Sequence, residues 1–417
     1  MLMIKNLYSK TNLIVRILIG IVVGVLLGVL APSWAGISIL GEVFVSALKG
    51  IAPLLVFILI LSSIAGYKKG QVSYVKNVVI LYLVGTFLAA VVANFADLIF
   101  HVSVTLDGVE KATKEAPQEF TDVITNLISS IFVNPITALS TGNYLSILFW
   151  SALIGFAMRE IAPQVATEMS ILSEVVNKMV RWIINTAPIG IAGLVFHSVA
   201  TSGFAGIMQY GALVLQICGC MLFVAFIVYP LMAFVILRQN PYPLVFYTLK
   251  QSAIPAFFTR SSAANIPVNM KCCDDLGLNK QSYSISIPLG ATINMGGAAI
   301  TITLMTLAAV NSLGMHVSIT YAIILSILSA LAACGASGVA GGSLLLIPLA
   351  CNLFGISTDV AMQIVAIGFI IGVIQDSVET ALNSSTDLLW TSVSEFHHRI
   401  KNGEKLKIKE LLKFIDK

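Results

Sequence analysis

Charge is what this chain has least of. Only 11% of its residues are Asp, Glu, Lys or Arg, where a soluble domain carries about 25%, and residues 281–358 contain none at all. That excludes an ordinary water-soluble domain. Histidine is limited to five positions and cysteine to six. The cysteines fall as Cys218 and Cys220, Cys272 and Cys273, Cys334 and Cys351. All lie in apolar or small-residue surroundings without a nearby histidine, so neither a zinc site nor a disulfide framework is indicated. His397 and His398 stand beside Arg399 and fit a solvated membrane exit better than a ligand set. The net charge of +4 comes from short ends and loops and gives a nucleic-acid partner no support.

What is present is apolar sequence, 57% hydrophobic with a mean hydropathy of +0.93. This predicts a polytopic protein of the lipid bilayer. Apolar segments occur near 11–31, 37–66, 73–101, 121–161 (broken around Asn134, Pro135 and Gly142), 172–202 and 206–238. The first follows Lys5, Lys10 and Arg16 as in a signal peptide, but it is long and no A-x-A site follows, so a retained span is expected. Lys5, Lys10, Arg16, Lys68, Lys69, Lys76, Arg238, Lys250 and the tail from Arg399 to Lys417 predict both termini on the cytoplasmic side. The 102–122 loop, with five acids against two lysines, falls outside. The tail from Lys405 alternates lysines with Leu406, Ile408, Leu411, Leu412, Phe414 and Ile415, which suits an amphipathic helix on the leaflet or a solvated end helix.

The uncharged stretch 281–358 is too rich in Gly, Ser, Thr and Asn for a lipid-facing helix and suits a protein-lined cavity. Two interruptions stand out, Arg260-Ser-Ser-Ala-Ala-Asn-Ile-Pro267 before this stretch and Gly335-Ala-Ser-Gly-Val-Ala-Gly-Gly342 within it. Both resemble tips of re-entrant hairpins, whose half-helix ends aim backbone groups at ions and solutes. With both termini inside, eight full spans fit if these two segments enter and leave on one side.

Beyond them, Asp376, Glu379 and Asp387 lie in the otherwise apolar Ile374–Leu389, interleaved with Thr380, Asn383, Ser384, Ser385 and Thr386. At about 100° per residue, Asp376, Glu379, Thr380, Asn383 and Asp387 fall near 0°, −60°, +40°, −20° and +20° of one helix face. Charge inside a membrane is costly and marks function. Arg260 is a candidate partner for one acid but cannot neutralise three, so cations must compensate or some acids must be solvated. Asp387 and Asn383, with carbonyls from Gly290-Ala-Thr-Ile-Asn-Met295, offer oxygen ligands suited to an alkali ion.

Four ordered segments, Thr259–Val268, Pro288–Gly297, Gly335–Gly342 and Asp376–Asp387, resemble the dicarboxylate/amino acid:cation symporter family, which includes glutamate transporters. Within it the similarity is to the bacterial branch that carries serine and threonine. The resemblance implies an all-α membrane protein with eight transmembrane helices plus two re-entrant hairpins, a homotrimer, an elevator motion, and no enzymatic activity. The scaffold would be helices 1 and 2 (1–72) and helices 4 and 5 (121–205). The mobile part would be helix 3 with the external loop (73–120) and 206–397, with hairpin 1 about 241–273, hairpin 2 about 320–354 as the outer gate, and helices 6, 7 and 8; residues 398–417 form a basic tail.

Carried over by resemblance, Asp376 holds the substrate ammonium, completed by the carbonyls of Arg260 and Val339, while Asn383 and the backbone N–H of Ser262 hold the carboxylate. One sodium is implied among Gly290, Asn294, Asn383 and Asp387. A second is implied between Thr292, Met295 and carbonyls near Ala333, Cys334 and Ala336. No organic cofactor is implied. Two departures are informative. Glu379 stands where acidic-substrate relatives have an arginine, which predicts that aspartate and glutamate are rejected while Glu379 or Thr380 accepts a hydrogen bond from a substrate hydroxyl. Asn294-Met-Gly-Gly-Ala298 lacks the acid of the relatives' Asn-Met-Asp-Gly-Thr, and Leu81, Val84 and Gly85 replace Tyr, Thr and Ser, with Tyr82 and Thr86 one position away. Fewer coupled sodium ions are therefore expected.

These features together predict a secondary transporter importing serine and threonine by sodium symport across the bacterial cell (inner) membrane. The alternatives are a sodium- or proton-coupled carrier of another small neutral amino acid, or an ion channel. An intramembrane hydrolase using Ser337 lacks a paired base.

Overall fold

The structure is a computed structural model, and it describes residues 13–66, 73–106, 131–336, 341–404 and 406–415. Lys5, Lys10, Lys68, Lys69, most of the 102–122 loop, and Ser337, Gly338 and Val339 of the second tip lie outside the described residues. Every regular element among the described residues is helical. The longer ones are α1 (Leu13–Leu30), α2 (Ser38–Ala65), α3 (Ser73–Phe100), α4 (Pro135–Thr141), α5 (Tyr144–Ile161), α6 (Ala166–Asn185) and α7 (Ala187–Phe223). They are followed by α8 (Tyr229–Leu237), α9 (Tyr242–Thr248), α10 (Ile254–Thr259), α11 (Ser262–Asp275), α12 (Lys280–Ile293) and α13 (Gly296–Ser312). The chain closes with α14 (Ile319–Ala333), α15 (Ile347–Asn352), α16 (Thr358–Lys401) and α17 (Ile408–Ile415).

Five helices are long and apolar enough to cross a bilayer among the described residues: Ala35–Ser62, Val75–Phe100, Tyr210–Leu237, Lys280–Ser312 and Thr358–Lys401. The pair Glu168–Asn185 and Ala187–Thr201, bent by 51°, makes a sixth candidate. Hydropathy divides spans near 202–206, yet α7 continues through that point as one helix of 37 residues. Hydropathy dips there because the sequence is small and polar, Thr201-Ser-Gly203, and neither Ser nor Gly is by itself a helix stop.

Small residues let α1 and α2 approach α7 closely. A Cβ on Gly20, Gly24 or Gly193 would come within 2.2 Å of Pro188 O, 2.5 Å of Ala192 O and 2.5 Å of Gly41 N, respectively. Such contacts take the place of the hydrophobic effect between helices in lipid. A second group forms around α13, every residue of which from Gly296 to Val310 is buried, packed between α3 and α16. For α13 that agrees with the protein-lined character expected of the uncharged stretch, whereas α14 in the same stretch exposes Ile319, Ile323, Ile327 and Leu331 and departs from it.

The long α16 positions the acids. Ser357 caps its start, the side-chain oxygen accepting from Val360 N at 3.4 Å, with Asp359 in the first turn and His398, Arg399 and Lys401 in the last. That is the charge order a helix dipole favours. Its far end is held by Glu395, which accepts from Asn279 N at 2.9 Å and from Arg399 Nη2 at 2.8 Å. The C-terminal α17 buries Ile408 and Leu412 against α9. Gln239 clamps its entry, donating to Leu406 O at 2.9 Å and accepting from Ile408 N at 3.3 Å. The apolar side chains of Ile408 and Leu412 in the tail thus face protein.

Candidate functional site: a buried carboxylate face at the junction of two broken segments

Two helical arms converge on α16. The first runs through α9 and α10, turns at Arg260, whose φ of 51° closes α10 in the left-handed conformation, and leaves along α11. Ser261 caps α11 by accepting from Ala264 N at 3.2 Å. Ser262, 4% exposed, is the first helical residue, so its N–H has no acceptor within the helix. The second arm is α14, then Gly335 and Ala336, and resumes at Gly341, with φ 75°, into Ser343–Leu346 and α15.

Both tips reach Asp376. Arg260 Nε donates to Asp376 Oδ2 at 2.6 Å, and the backbone N–H of Gly341 donates to Oδ1 at 3.2 Å. The expected pairing of Arg260 with one acid is therefore observed. Asp376, Glu379 and Asp387 are 3%, 5% and 1% exposed. Among the described residues, Arg260 is the one cation in an ion pair with any of them, which leaves two buried carboxylates without a basic partner.

Glu379 is held differently. Its Oε2 accepts from Thr301 Oγ1 at 2.7 Å, Ser343 Oγ at 2.9 Å and Gln375 Nε2 at 2.6 Å. Gln375 also donates to Thr301 Oγ1 at 2.7 Å, closing the ring. Three donors on one oxygen suit a carboxylate acceptor. Thr301 and Ser343 lie outside the four ordered segments that the sequence singles out, whereas Gly341 belongs to the second interruption and only its N–H contact with Asp376 was not legible there. Gln375 was within reach, since it lies four residues before Glu379 on the same helix. Thr380 donates its hydroxyl to Asp376 O at 2.7 Å and keeps lone pairs for a further donor.

One turn along, α12 and α13 are separated by Asn294 and Met295, neither in helical conformation. Asn294 Nδ2 donates to Asn383 O at 3.1 Å, Thr386 Oγ1 at 2.8 Å and Asp387 Oδ1 at 2.8 Å. Its Oδ1 is buried with no hydrogen-bond partner. A Cβ on Gly290 would sit 2.6 Å from Asp387 Oδ1, so glycine is what allows the helix to lie against the acid. Gly290, Asn294, Asn383 and Asp387 are thus brought together. Asn383 accepts from Gly297 N at 2.7 Å through Oδ1 and donates to Met295 Sδ at 3.3 Å, a weak acceptor.

The other expected ion ligands are arranged less tightly. The Thr292 hydroxyl is on an exposed residue and donates to Leu289 O at 2.7 Å. Cys334 Sγ donates to Ile293 O at 3.5 Å, which brings the second arm against the end of α12. Ala333 is buried, its carbonyl accepting from Ala336 N at 2.9 Å, and Ala336 is 6% exposed. Val339 lies outside the described residues.

Two further clusters support the face. Asn265 Nδ2 and Asn269 Nδ2 donate to Ser384 Oγ at 2.8 and 3.2 Å, tying α11 to α16. The Tyr82 hydroxyl contacts Thr391 Oγ1 at 3.2 Å and donates to Ser286 O at 3.1 Å. Tyr229 is fully buried, and its hydroxyl donates to Gly85 O at 3.3 Å. A Cβ on Gly296 would lie 2.1 Å from that hydroxyl. A tyrosine oxygen therefore fills the space a side chain at position 296 would need.

A helical membrane carrier, with acids and broken helices gathered at one buried point, is the class these features define. The profile of the sodium:dicarboxylate symporter family matches residues 13–395, and the chain belongs to that family. Its members move solutes and are not enzymes. The serine/threonine transporter SstT of Enterococcus faecalis is 58% identical over 403 residues, covering 97% of this chain and 96% of that protein. SstT of Streptococcus thermophilus is 52% identical over 388 residues (93% and 96%), and SstT of Lacticaseibacillus paracasei is 49% identical over 409 residues (97% and 94%).

Proposed function

We propose that the chain imports serine and threonine together with sodium ions across the bacterial cytoplasmic membrane. The observation that carries this is the pair of buried carboxylates, Glu379 and Asp387, with no basic partner among the described residues, beside an arginine-paired Asp376. Burying net negative charge is expensive unless cations accompany it. A site that is stable only when loaded with cations is a coupling device. The names of the similar transporters support the solute.

In this reading Asp376 takes the substrate ammonium, in competition with Arg260, and the carbonyls of Arg260 and Val339 complete the amine site. The carboxylate of the substrate meets the N–H of Ser262 and the side chain of Asn383. The Thr380 oxygen accepts the substrate hydroxyl, and Glu379 sets the sign of charge the pocket tolerates. Sodium binds at Asp387 with oxygens of Gly290, Asn294 and Asn383. A second ion binds among Thr292, Met295, Ala333, Cys334 and Ala336. Eight spans with two re-entrant hairpins, both termini cytoplasmic, would form a homotrimer in which residues 73–120 and 206–397 move against a scaffold.

Labelled serine uptake into vesicles holding the purified protein tests the proposal. Saturable accumulation driven by an inward sodium gradient is expected. Uptake indifferent to sodium, or non-saturable flux of ions alone, would overturn it, the latter in favour of a channel.

A further inference from the structure

Two π-helical turns, Val224–Val228 between α7 and α8 and Leu249–Ala253 between α9 and α10, lie behind the site above, the second reaching its supporting cluster through Ser252, whose O and Oγ accept from Asn265 Nδ2 at 3.2 and 3.0 Å. Their positions coincide. Both open onto one groove of about 520 Å³, which takes Phe226 from the first turn and Lys250 from the second. A π turn skews a helix and displaces its side chains, and such turns recur at functional positions. Here the first turn is braced from across the groove, the Tyr242 hydroxyl donating to Phe226 O at 3.0 Å.

The lining is apolar and rich in phenylalanine, with Phe246, Phe257 and Phe258 beside Phe226. Phe246 and Phe258 are 57% and 66% exposed, so the groove faces outward, towards lipid in a membrane protein. Among the described lining residues, Lys250 alone is charged. The groove runs from Phe257 and Phe258, near the Arg260 turn, to Phe246 of α9, and the segment that joins its two walls, between α8 and α9, is basic: Arg238 closes α8 and Gln239 holds the lysine-bearing α17. A basic residue at the rim of an apolar groove, beside a basic connecting segment, complements an anionic headgroup with an acyl chain.

We propose that this groove binds an anionic phospholipid, its chain lying along the phenylalanines and its phosphate at the Lys250 ammonium. The floor is formed in part by Val378, Ala381 and Leu382, on the opposite side of α16 from Asp376 and Asn383. The lipid therefore braces the acidic helix from behind, together with the arm that ends at Arg260. Nothing in this depends on which solute is carried.

Native mass spectrometry of the purified full chain measures it directly, with phosphatidylglycerol and phosphatidylcholine of identical chains as probes. Phosphatidylglycerol should be retained about fivefold more strongly, corresponding to roughly 1 kcal/mol for one basic contact. Lys250→Gln should bring the ratio to about one, and Lys250→Arg should keep it. Glycerol phosphate without chains should not compete. Equal retention of both lipids by the parent chain, or an unchanged ratio in Lys250→Gln, would overturn the proposal. A photoactivatable phosphatidylglycerol provides a variant-free check on the parent chain. Labelling concentrated in peptides spanning 224–228 and 246–258 is expected, and labelling spread evenly over the lipid-facing helices would refute the site.

Discussion

Replacing Asp387 by asparagine isolates the charge from the shape of the ion site. Asp387 is 1% exposed, and Asn294 Nδ2 donates to its Oδ1 at 2.8 Å. An asparagine retains that acceptor oxygen, and the side-chain volume is conserved, so the local packing around Gly290 and Asn294 survives. What disappears is one negative charge. Two unit charges about 4 Å apart at an effective dielectric near 20 interact by roughly 4 kcal/mol, about a thousandfold in affinity. The remaining amide oxygen recovers part of this, so half-saturating sodium should rise about a hundredfold. The assay is serine uptake in proteoliposomes as a function of external sodium, at a fixed serine concentration and with lithium or potassium replacing sodium at constant ionic strength. Sodium binding without substrate, followed by tryptophan fluorescence or calorimetry, should show the same displacement. A variant whose sodium curve overlays that of the parent would refute the assignment of Asp387 as an ion ligand. It would also remove the electrostatic reason for expecting a cation at the buried face.

Glu379 should exclude acidic side chains. Aspartate is expected to leave serine uptake unaffected at neutral pH, and Glu379→Gln, which keeps an acceptor for Thr301, Ser343 and Gln375, should let aspartate compete at least about tenfold better if a few kcal/mol of repulsion is relieved. Potent inhibition of the parent by aspartate would count against it. Arg260→Gln removes the ion-pair partner of Asp376. Breaking such a buried pair costs about 3–5 kcal/mol, so a lowered thermal midpoint in detergent is expected, partly restored by added serine if its ammonium takes the vacated place. An unchanged midpoint would show the pair to be unimportant. Gly296→Asp should not create an additional sodium site, because its Cβ would lie 2.1 Å from the Tyr229 hydroxyl. Overpacking of this kind costs about 1–3 kcal/mol, and sodium-to-serine flux ratios should not increase; a rise by one ion would refute the steric argument.

Much of the site was legible because its chemistry is local. Asp376, Glu379, Thr380, Asn383 and Asp387 stand on one helix, and helical periodicity alone puts them on a shared face. The uncharged stretch 281–358 predicts a protein-lined interior, which holds for α13, buried from Gly296 to Val310, and not for α14, whose Ile319, Ile323, Ile327 and Leu331 are exposed. The small-residue interruptions at 260–267 and 335–342 marked where helices break. The continuity of α7 was not legible, since the dip in hydropathy near 202 says where lipid contact weakens and not where hydrogen bonding stops. Nor was the docking of the tail, because an amphipathic helix reads the same whether its apolar side meets a leaflet or α9.

By itself, then, the sequence determined that the protein is helical, belongs in a bilayer and carries more buried acid than base, since composition and periodicity are properties of consecutive residues. Only the tertiary structure decided which of the three acids Arg260 neutralises. It also decided that Glu379 is gripped by Thr301, Ser343 and Gln375, and that the Tyr229 hydroxyl fills the space beside Gly296. Apart from Gln375, four residues before Glu379 on the same helix, these contacts join residues dozens to more than a hundred positions apart. Their partners are selected by distance and direction in the packed state, for which a linear pattern holds no signal.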